Sequence, residues 1–219
     1  YEGSSGITTA VVPFFIGARE EIVMALTKEQ IKEFKETEKE AEDCFDFYYL
    51  AGKLVEAGDK DWAKKVYKKS YKKAGGSHDL YCLADGIYEI LGDKDWGKKV
   101  YEKAEDKAES IHDFRNLADR FHEKLGDKKR AKELYKKAEA EISKYSSGTH
   151  IRELAYSVYE KLGDKEWAKE LYKKAEERTR TSHDLGTLAE SIRENLGDKK
   201  WAKLLEKKAK ELEEDEDDD

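Results

Sequence analysis

The sequence predicts an all-α chain, a solenoid of about five stacked helical hairpins, on three observations. Gly58-Asp59-Lys60, Gly92-Asp93-Lys94, Gly126-Asp127-Lys128, Gly163-Asp164-Lys165 and Gly197-Asp198-Lys199 recur at intervals of 34, 34, 37 and 34 residues. A period of this size marks supersecondary units stacked on one another. Apolar residues on both sides of each glycine recur at helical spacing. Charged residues make up 42% of the chain, hydrophobic residues only 38%, and Pro13 is the single proline. Such a composition suits long solvated helices and excludes collagen-like, disulfide-stapled and membrane-spanning chains.

Each unit reads as two helices joined at the glycine. Upstream stand Leu83, Ala84, Ile87 and Leu91, or Leu188, Ala189, Ile192 and Leu196; downstream stand Trp96, Val100, Tyr101 and Ala104, or Trp167, Leu171, Tyr172 and Ala175. The glycine suits the left-handed residue that ends the first helix, and the following Asp can accept from the free amides that open the second.

With these residues the unit resembles a tetratricopeptide repeat: 34 residues, a Leu and a small residue in the first helix, Gly-Asp at the turn, then Ala, Tyr and Ala, as in Gly163, Ala168, Tyr172 and Ala175. The resemblance implies a right-handed α-solenoid and, for function, an adaptor that binds a peptide of another protein. The sequence departs from the family in two ways. Only Leu50-Ala51 before Gly58 keeps the family's eight-residue separation, the later four units having nine, and the proline after the second helix is absent.

The organisation that follows is an extended apolar arm over 1–18, a capping helix region over 19–43, the repeats over 44–212 and an acidic tail over 213–219. Thr27-Lys28-Glu29-Gln30 reads as a capping box that opens a helix reaching to about Asp43, with Ile31, Phe34 and Ala41 covering the first repeat. At the far end Glu206 replaces the tyrosine and Lys207, Lys208 and Lys210 follow, a polar outer face that suits a terminal unit. The extra three residues between units three and four lie around Tyr145-Ser146-Ser147-Gly148, where a bend is expected.

No site for chemistry emerges. His78-Asp79, His112-Asp113 and His183-Asp184, with His150 one place later in its unit, open first helices, and with Ser77 and Ser182 ahead of two of them they read as capping residues. A shared metal would need ligands within ~2 Å of one ion, whereas stacked helices lie ~8–10 Å apart. Glu109 and His112 form one Glu-x-x-His, where a di-iron bundle needs two. His122-Glu123 lacks the second histidine of a zinc-protease helix, and no phosphate loop, dinucleotide fingerprint or nucleophile elbow occurs. No cofactor or enzyme activity is expected. Cys44 and Cys82 occupy different repeat positions and read as small buried thiols without a disulfide.

Trp62, Trp96, Trp167 and Trp201 share one position, taken by Arg130 in the third unit, and read as core or edge-of-core packing. Lysines six and eleven residues after the glycine (Lys64, Lys98, Lys132, Lys169 and Lys203; Lys69, Lys103, Lys137, Lys174 and Lys208) would align as a ridge, broken by Glu102, Glu133 and Glu170 into local ion pairs. The net charge of −7 hides an acidic run, eight acids and no base from Glu211 to Asp219, so the rest of the chain carries +1. That balance gives no pull toward nucleic acid or anionic lipid. The nearest partner for the ridge is the acidic tail of another copy.

The arm is the odd segment. Gly6 to Gly17 is β-branched, aromatic and uncharged, and Pro13 with its flanking glycines opposes helix. It must be covered, either by the chain's own first helices, with Ile22, Val23, Met24 and Leu26 continuing the packing, or by a neighbouring copy. Extended, its 17 residues reach ~55 Å against ~45 Å for five stacked repeats. The leading expectation is therefore a non-enzymatic structural scaffold that self-associates head to tail, a filament subunit, with Val11, Val12, Phe14, Phe15 and Ile16 at the subunit interface. The absence of an initiator Met leaves two readings: a removed leader, which favours an extracellular location, or numbering that begins within a longer sequence.

Overall fold

The computed structural model describes residues 26–143 and 146–217, with side chains described up to Glu214. The arm and its expected interface residues Val11, Val12, Phe14, Phe15 and Ile16 lie outside the described residues, as do Ile22, Val23 and Met24. Among the described residues eleven α-helices follow one another: α1 Lys28–Glu40, α2 Cys44–Glu56, α3 Lys60–Lys73, α4 Ser77–Asp85, α5 Lys94–Glu105, α6 Ile111–Glu123, α7 Lys128–Ala140, α8 Gly148–Leu162, α9 Lys165–Arg178, α10 Ser182–Leu196 and α11 Lys199–Asp217. No strand occurs among the described residues. Five hairpins, α2/α3, α4/α5, α6/α7, α8/α9 and α10/α11, pack each on the next.

The turns form as the sequence dictates. All five turn glycines have positive φ, between 66° and 88°. Asp59, Asp93, Asp127, Asp164 and Asp198 each accept a hydrogen bond from the backbone N–H three residues on, at 2.9–3.2 Å. A side chain at the glycines would be strained, and the aspartates satisfy amides that would otherwise lack partners.

Between the two helices of a unit the apolar stripes meet. Leu50, Ala51 and Leu54 of α2 and Ala63, Val66 and Tyr67 of α3 are at most 1% exposed, and the same positions are buried in the later hairpins except at the tyrosine position of hairpin 5, where Glu206 is part-exposed. Tyr67, Tyr101, Tyr135 and Tyr172 are the largest fully buried side chains. Each contributes roughly 2–3 kcal/mol of burial, and the small alanines let the helices approach closely enough to enclose the rings.

The extra residue that four units carry before the glycine is absorbed in three ways. In hairpin 1, which lacks it, the Asp59 N–H donates to the Leu54 carbonyl five residues back. In hairpin 2 the chain widens into a π-helical segment, Gly86–Leu91, and Asp93 reaches six residues back to Ile87. In hairpin 3 α6 stops at Glu123 and a wide turn carries the same six-residue closure, from Asp127 to Phe121. In hairpins 4 and 5 the first helix lengthens to 15 residues, and the glycine N–H closes onto Tyr159 or Arg193.

At the near end the capping box of Thr27 and Gln30 is formed in both directions, at 2.9 and 3.2 Å. The helix it opens ends at Glu40, short of the expected Asp43, because Asp43 is the N-cap of α2 and exchanges hydrogen bonds with Asp46. Phe34 and Ala41 pack on the core as expected, Phe34 meeting Trp62 edge-on with ring centres 6.1 Å apart. Ile31 does not join them, and half-exposed it lies among Lys28, Lys32 and Lys35. At the far end α11 continues through the acidic run to Asp217.

Two glycines test this packing. A Cβ on Gly86, inside the π-helical segment, would meet Tyr48 Cε2 at 2.6 Å and Tyr67 Oη at 2.9 Å, whereas one on Gly52, in α2, would meet nothing within 4 Å. Gly86→Ala is expected to lower unfolding stability in urea by about 1–3 kcal/mol. Gly52→Ala is expected to raise it by about 0.5–1 kcal/mol.

Candidate functional site

Successive hairpins are joined by an acid thirteen residues after the turn glycine. Glu139 accepts from the Trp167 indole N–H at 2.8 Å and from Lys174 Nζ at 2.6 Å, both in the next hairpin. Glu176 does the same for Trp201, at 2.8 Å, and Lys208. Glu105 receives Arg130, which stands at the tryptophan position, through two nitrogens at 2.7 and 3.1 Å, and Lys137 at 2.7 Å. In α1, Glu38 takes the same part for Trp62 at 2.9 Å and Lys69 at 2.9 Å. One carboxylate thus clasps an aromatic or guanidinium donor and an ammonium from the neighbour.

The clasp is missing between hairpins 1 and 2. The acid position there is Tyr71, 37% exposed, and Lys103 pairs instead with Asp106 at 3.1 Å. It is also missing beyond hairpin 5, where Lys210 holds the position. The tryptophans are half-buried at the edge of the core, as their spacing implies. The lysines eleven after the glycine are largely spent on the clasps. Of those six after it, Lys64 and Lys132 reach the N-cap Asp93 and Asp164 of the next unit, at 2.6 and 3.5 Å. Of the acids expected to break the ridge into local ion pairs, Glu133 and Glu170 pair within their own helices, with Arg130 and Lys173.

The first helices form a second polar ladder. Arg120 of α6 lies 4.1 Å over the Tyr81 ring, donates Nε–H to Asp85 at 2.9 Å and brings Nη2 within 2.9 Å of the same carboxylate, while Lys124 reaches Asp85 at 3.3 Å and Glu89 at 2.7 Å. The Tyr101 hydroxyl donates to the same Asp85. One unit on, Asp119 accepts from the Tyr135 hydroxyl and from Ser157 at 3.4 Å, but its guanidinium neighbour Arg115 stands off at 3.7 Å, held at 3.0 Å by Glu153. Burial therefore pushes the Asp119 carboxyl above its ordinary value, against the opposing pull of Tyr135, Arg115 and Ser157. Hairpin 1 has Gly52 after its Leu-Ala pair, where hairpins 2 and 3 have Asp85 and Asp119, and the buried Tyr67 hydroxyl has no partner among the described residues.

Among the described residues no group of three or more His, Cys, Asp or Glu could hold an ion. In the capping arrangement it is the aspartates that bond: Asp113 accepts from the Glu109 N–H at 3.3 Å and Ser110 Oγ at 2.8 Å, and Asp184 accepts from Thr181 Oγ1 at 2.9 Å. The cap residues are Gly76, Ser110, Ser147 and Thr181. Ser77 and Ser182, expected as caps, lie one residue inside their helices and are buried, Ser182 donating to Glu213 at 2.7 Å. The His112 and His150 rings lie 6.5 Å apart, and burial followed by Arg115 pulls His112 below its ordinary value. Both cysteines are free; Cys44 is buried as expected, 3.3 Å from Ser70 Oγ, but Cys82 is half-exposed.

Among the described residues, surfaces open to an outside partner include a ring cluster and an end groove. On the first helices of hairpins 1 and 2, Phe45, Tyr48, Tyr49, His78 and Tyr81 form a chain of ring contacts with centres 5.1–6.5 Å apart, and Tyr49 is 64% exposed. At the far end, α10 and α11 leave an open groove of about 880 Å³ whose walls include His183, Glu190, Lys203, Lys207 and Lys210. His183 and Glu190 stand at the positions through which His112 and Asp119 contact the next unit. The groove is therefore the face on which a further hairpin would stack.

A 34-residue hairpin closed by a left-handed glycine, with Leu-Ala of the first helix interlocked with Ala, Tyr and Ala of the second, decides the architecture. The fold is a tetratricopeptide-like solenoid. No protein-family model matches the chain, and no curated protein is similar to it. Among solved structures it is similar to the C-terminal part of a TPR repeat-containing protein from Cytophaga hutchinsonii, at 17% identity and a TM-score of 0.48, over 84% of this chain and 73% of that one. No helix among the described residues is long and apolar enough to cross a membrane.

Two substitutions probe this tetratricopeptide-like stack. Tyr71→Glu supplies the missing acid to Trp96 and Lys103, and calorimetry should show a gain of about 0.5–1 kcal/mol. Asp119 with a raised value costs the folded state stability at neutral pH, a cost that disappears as the pH falls through the folded value toward the unfolded one of ~3.9. Asp119→Asn is accordingly expected to be more stable than the parent at pH 7, with the difference shrinking as urea titrations move to acid.

Proposed function

We propose that this chain is a non-enzymatic scaffold for protein–protein contact and that its partner is a second copy, joined head to tail through the arm, as in a filament. The observation that carries the reading is that the two ends of the stack are unlike. The near end closes with α1, whose Glu38 completes a clasp, while the far end leaves the α10–α11 groove open and presents Lys210 where a clasp needs an acid. Unlike ends meet heterologously, and a heterologous contact that does not close into a ring propagates. Lys210 would repel the lysine of an incoming hairpin, so copies would not join by repeating the internal clasp. A separate adhesive element is needed, and Val11, Val12, Phe14, Phe15 and Ile16 supply one.

The non-enzymatic part of the reading is supported by the use made of the polar side chains: the clasps, Arg120 on Asp85 and Ser157 on Asp119 join one hairpin to the next. A second reading, an adaptor that binds a peptide of another protein, is favoured by the ring cluster around Phe45, of which Tyr49 and His78 are exposed. Light scattering over a wide concentration range separates them. The full chain is expected to gain mass with concentration, and a chain lacking residues 1–18 to stay monomeric with unchanged helical circular dichroism. A full chain that stays monomeric throughout removes the filament and leaves the adaptor.

A further inference from the structure

The second helices are unevenly charged. Helix α3 holds seven lysines and one acid, Asp61, whereas α5 includes Asp95, Glu102 and Glu105, and α9 includes Glu166, Glu170, Glu176 and Glu177. The difference starts at Tyr71, which occupies the position where other second helices carry their clasping glutamate. Lys64 and Lys69 of α3 are spent on Asp93 and Glu38. Lys65, Lys68 and Lys72, three and four residues apart, fall on one exposed stripe and form no ion pair among the described residues.

At the opposite end of the chain the acids are in excess. Glu211 pairs with Lys207 at 3.0 Å and Glu213 accepts from Ser182 at 2.7 Å, but six acids without a base follow, from Glu214 to Asp219. Each run repels itself, and each holds the charge the other lacks.

One molecule cannot bring them together. Helix α3 packs on α2, α4 and the π-helical segment, and α11 packs on α10, with hairpins 2, 3 and 4 between them. Four steps of ~9–10 Å separate hairpins 1 and 5, while six fully extended residues span at most ~21 Å. A second copy meets neither restriction. We infer that the lysine face of α3 is a docking surface for the acidic C-terminal run of a second copy. The inference takes the identity of the partner from the self-association reading, but the contact is distinct from that of the arm. An acidic run of the same chain suits the face better than nucleic acid does, because Tyr71 is the one exposed aromatic of α3 on which a base could stack.

A labelled peptide with the sequence from Glu211 to Asp219 tests it by fluorescence anisotropy against the full chain. Saturable binding is expected at ~50 mM salt, weakening steeply by ~300 mM as screening shortens the reach of the charges. Lys65→Glu, Lys68→Glu and Lys72→Glu combined should lower the affinity at least ~10-fold, because each reversal turns an attraction into a repulsion. These residues are exposed, and a peptide with Asn and Gln in place of its acids gives a control independent of that variant's folding: it should not bind. Equal affinity for parent and triple variant overturns the inference, as does a single-stranded oligonucleotide that displaces the peptide at lower concentration. The chain lacking residues 1–18 separates the two contacts. If it loses assembly and keeps peptide binding, both stand. If it loses assembly while the peptide binds neither form, the tail contact alone falls; peptide binding with assembly intact removes the arm reading alone.

Discussion

A two-helix hairpin of this sequence cannot bury its own apolar surface, and the rest of the structure follows from that constraint. The stripe that holds Leu50, Ala51 and Leu54 closes on Ala63, Val66 and Tyr67, yet rings such as Tyr67 become fully buried only when the next hairpin covers them, as the close approach of Gly86 to Tyr67 and Tyr48 demonstrates. Stability is then a chain of nearest-neighbour terms, with each junction contributing its own burial and its own polar contacts. The apolar share dominates: one buried tyrosine is worth roughly 2–3 kcal/mol, and a partly exposed ion pair typically under ~1 kcal/mol. The clasps therefore do not hold the stack together so much as fix the angle and register at which one hairpin meets the next.

Local features were the legible ones. The five glycines, the capping aspartates, the buried Tyr and Ala positions and the capping box at Thr27 each depend on residues within one turn of each other, and each forms where the spacing places it. The clasping acid was missed although Glu105, Glu139 and Glu176 share one register, because its partners lie 25 to 35 residues on, in the next hairpin. The extra residue in the first helices was visible as a nine-residue separation, but nothing local distinguishes a π-helical segment from a wide turn or a longer helix. That choice belongs to packing, as Gly86 against Tyr48 makes plain. Ser77 and Ser182 misled because a serine beside a first turn serves equally as cap or as buried N-terminal residue, and only burial separates the two.

Hairpin 2 gathers the irregularities. It holds the π-helical segment, it meets hairpin 1 without a clasp, and its Asp85 collects Arg120, Lys124 and Tyr101 from both sides. π-Helical insertions tend to survive where they serve a purpose, because their hydrogen bonds are poorer than those of the α-helix. Here the widened turn leaves Tyr88 free to donate to the Lys124 carbonyl at 3.2 Å, so one distortion is compensated by a contact to the next unit.

Loss of the clasp and gain of charge at α3 are two sides of one substitution. With Tyr71 in place of an acid, the ion pairs of α3 among the described residues are Lys69 with Glu38 behind and Lys64 with Asp93 ahead, and the stripe of Lys65, Lys68 and Lys72 forms none. A helix that carries such self-repulsion without an internal partner gives up stability that a glutamate at position 71 would restore, and the neighbouring units show that the fold accommodates that glutamate without difficulty. Stability alone would select the acid, and the tyrosine leaves the lysine face free for the contact proposed above.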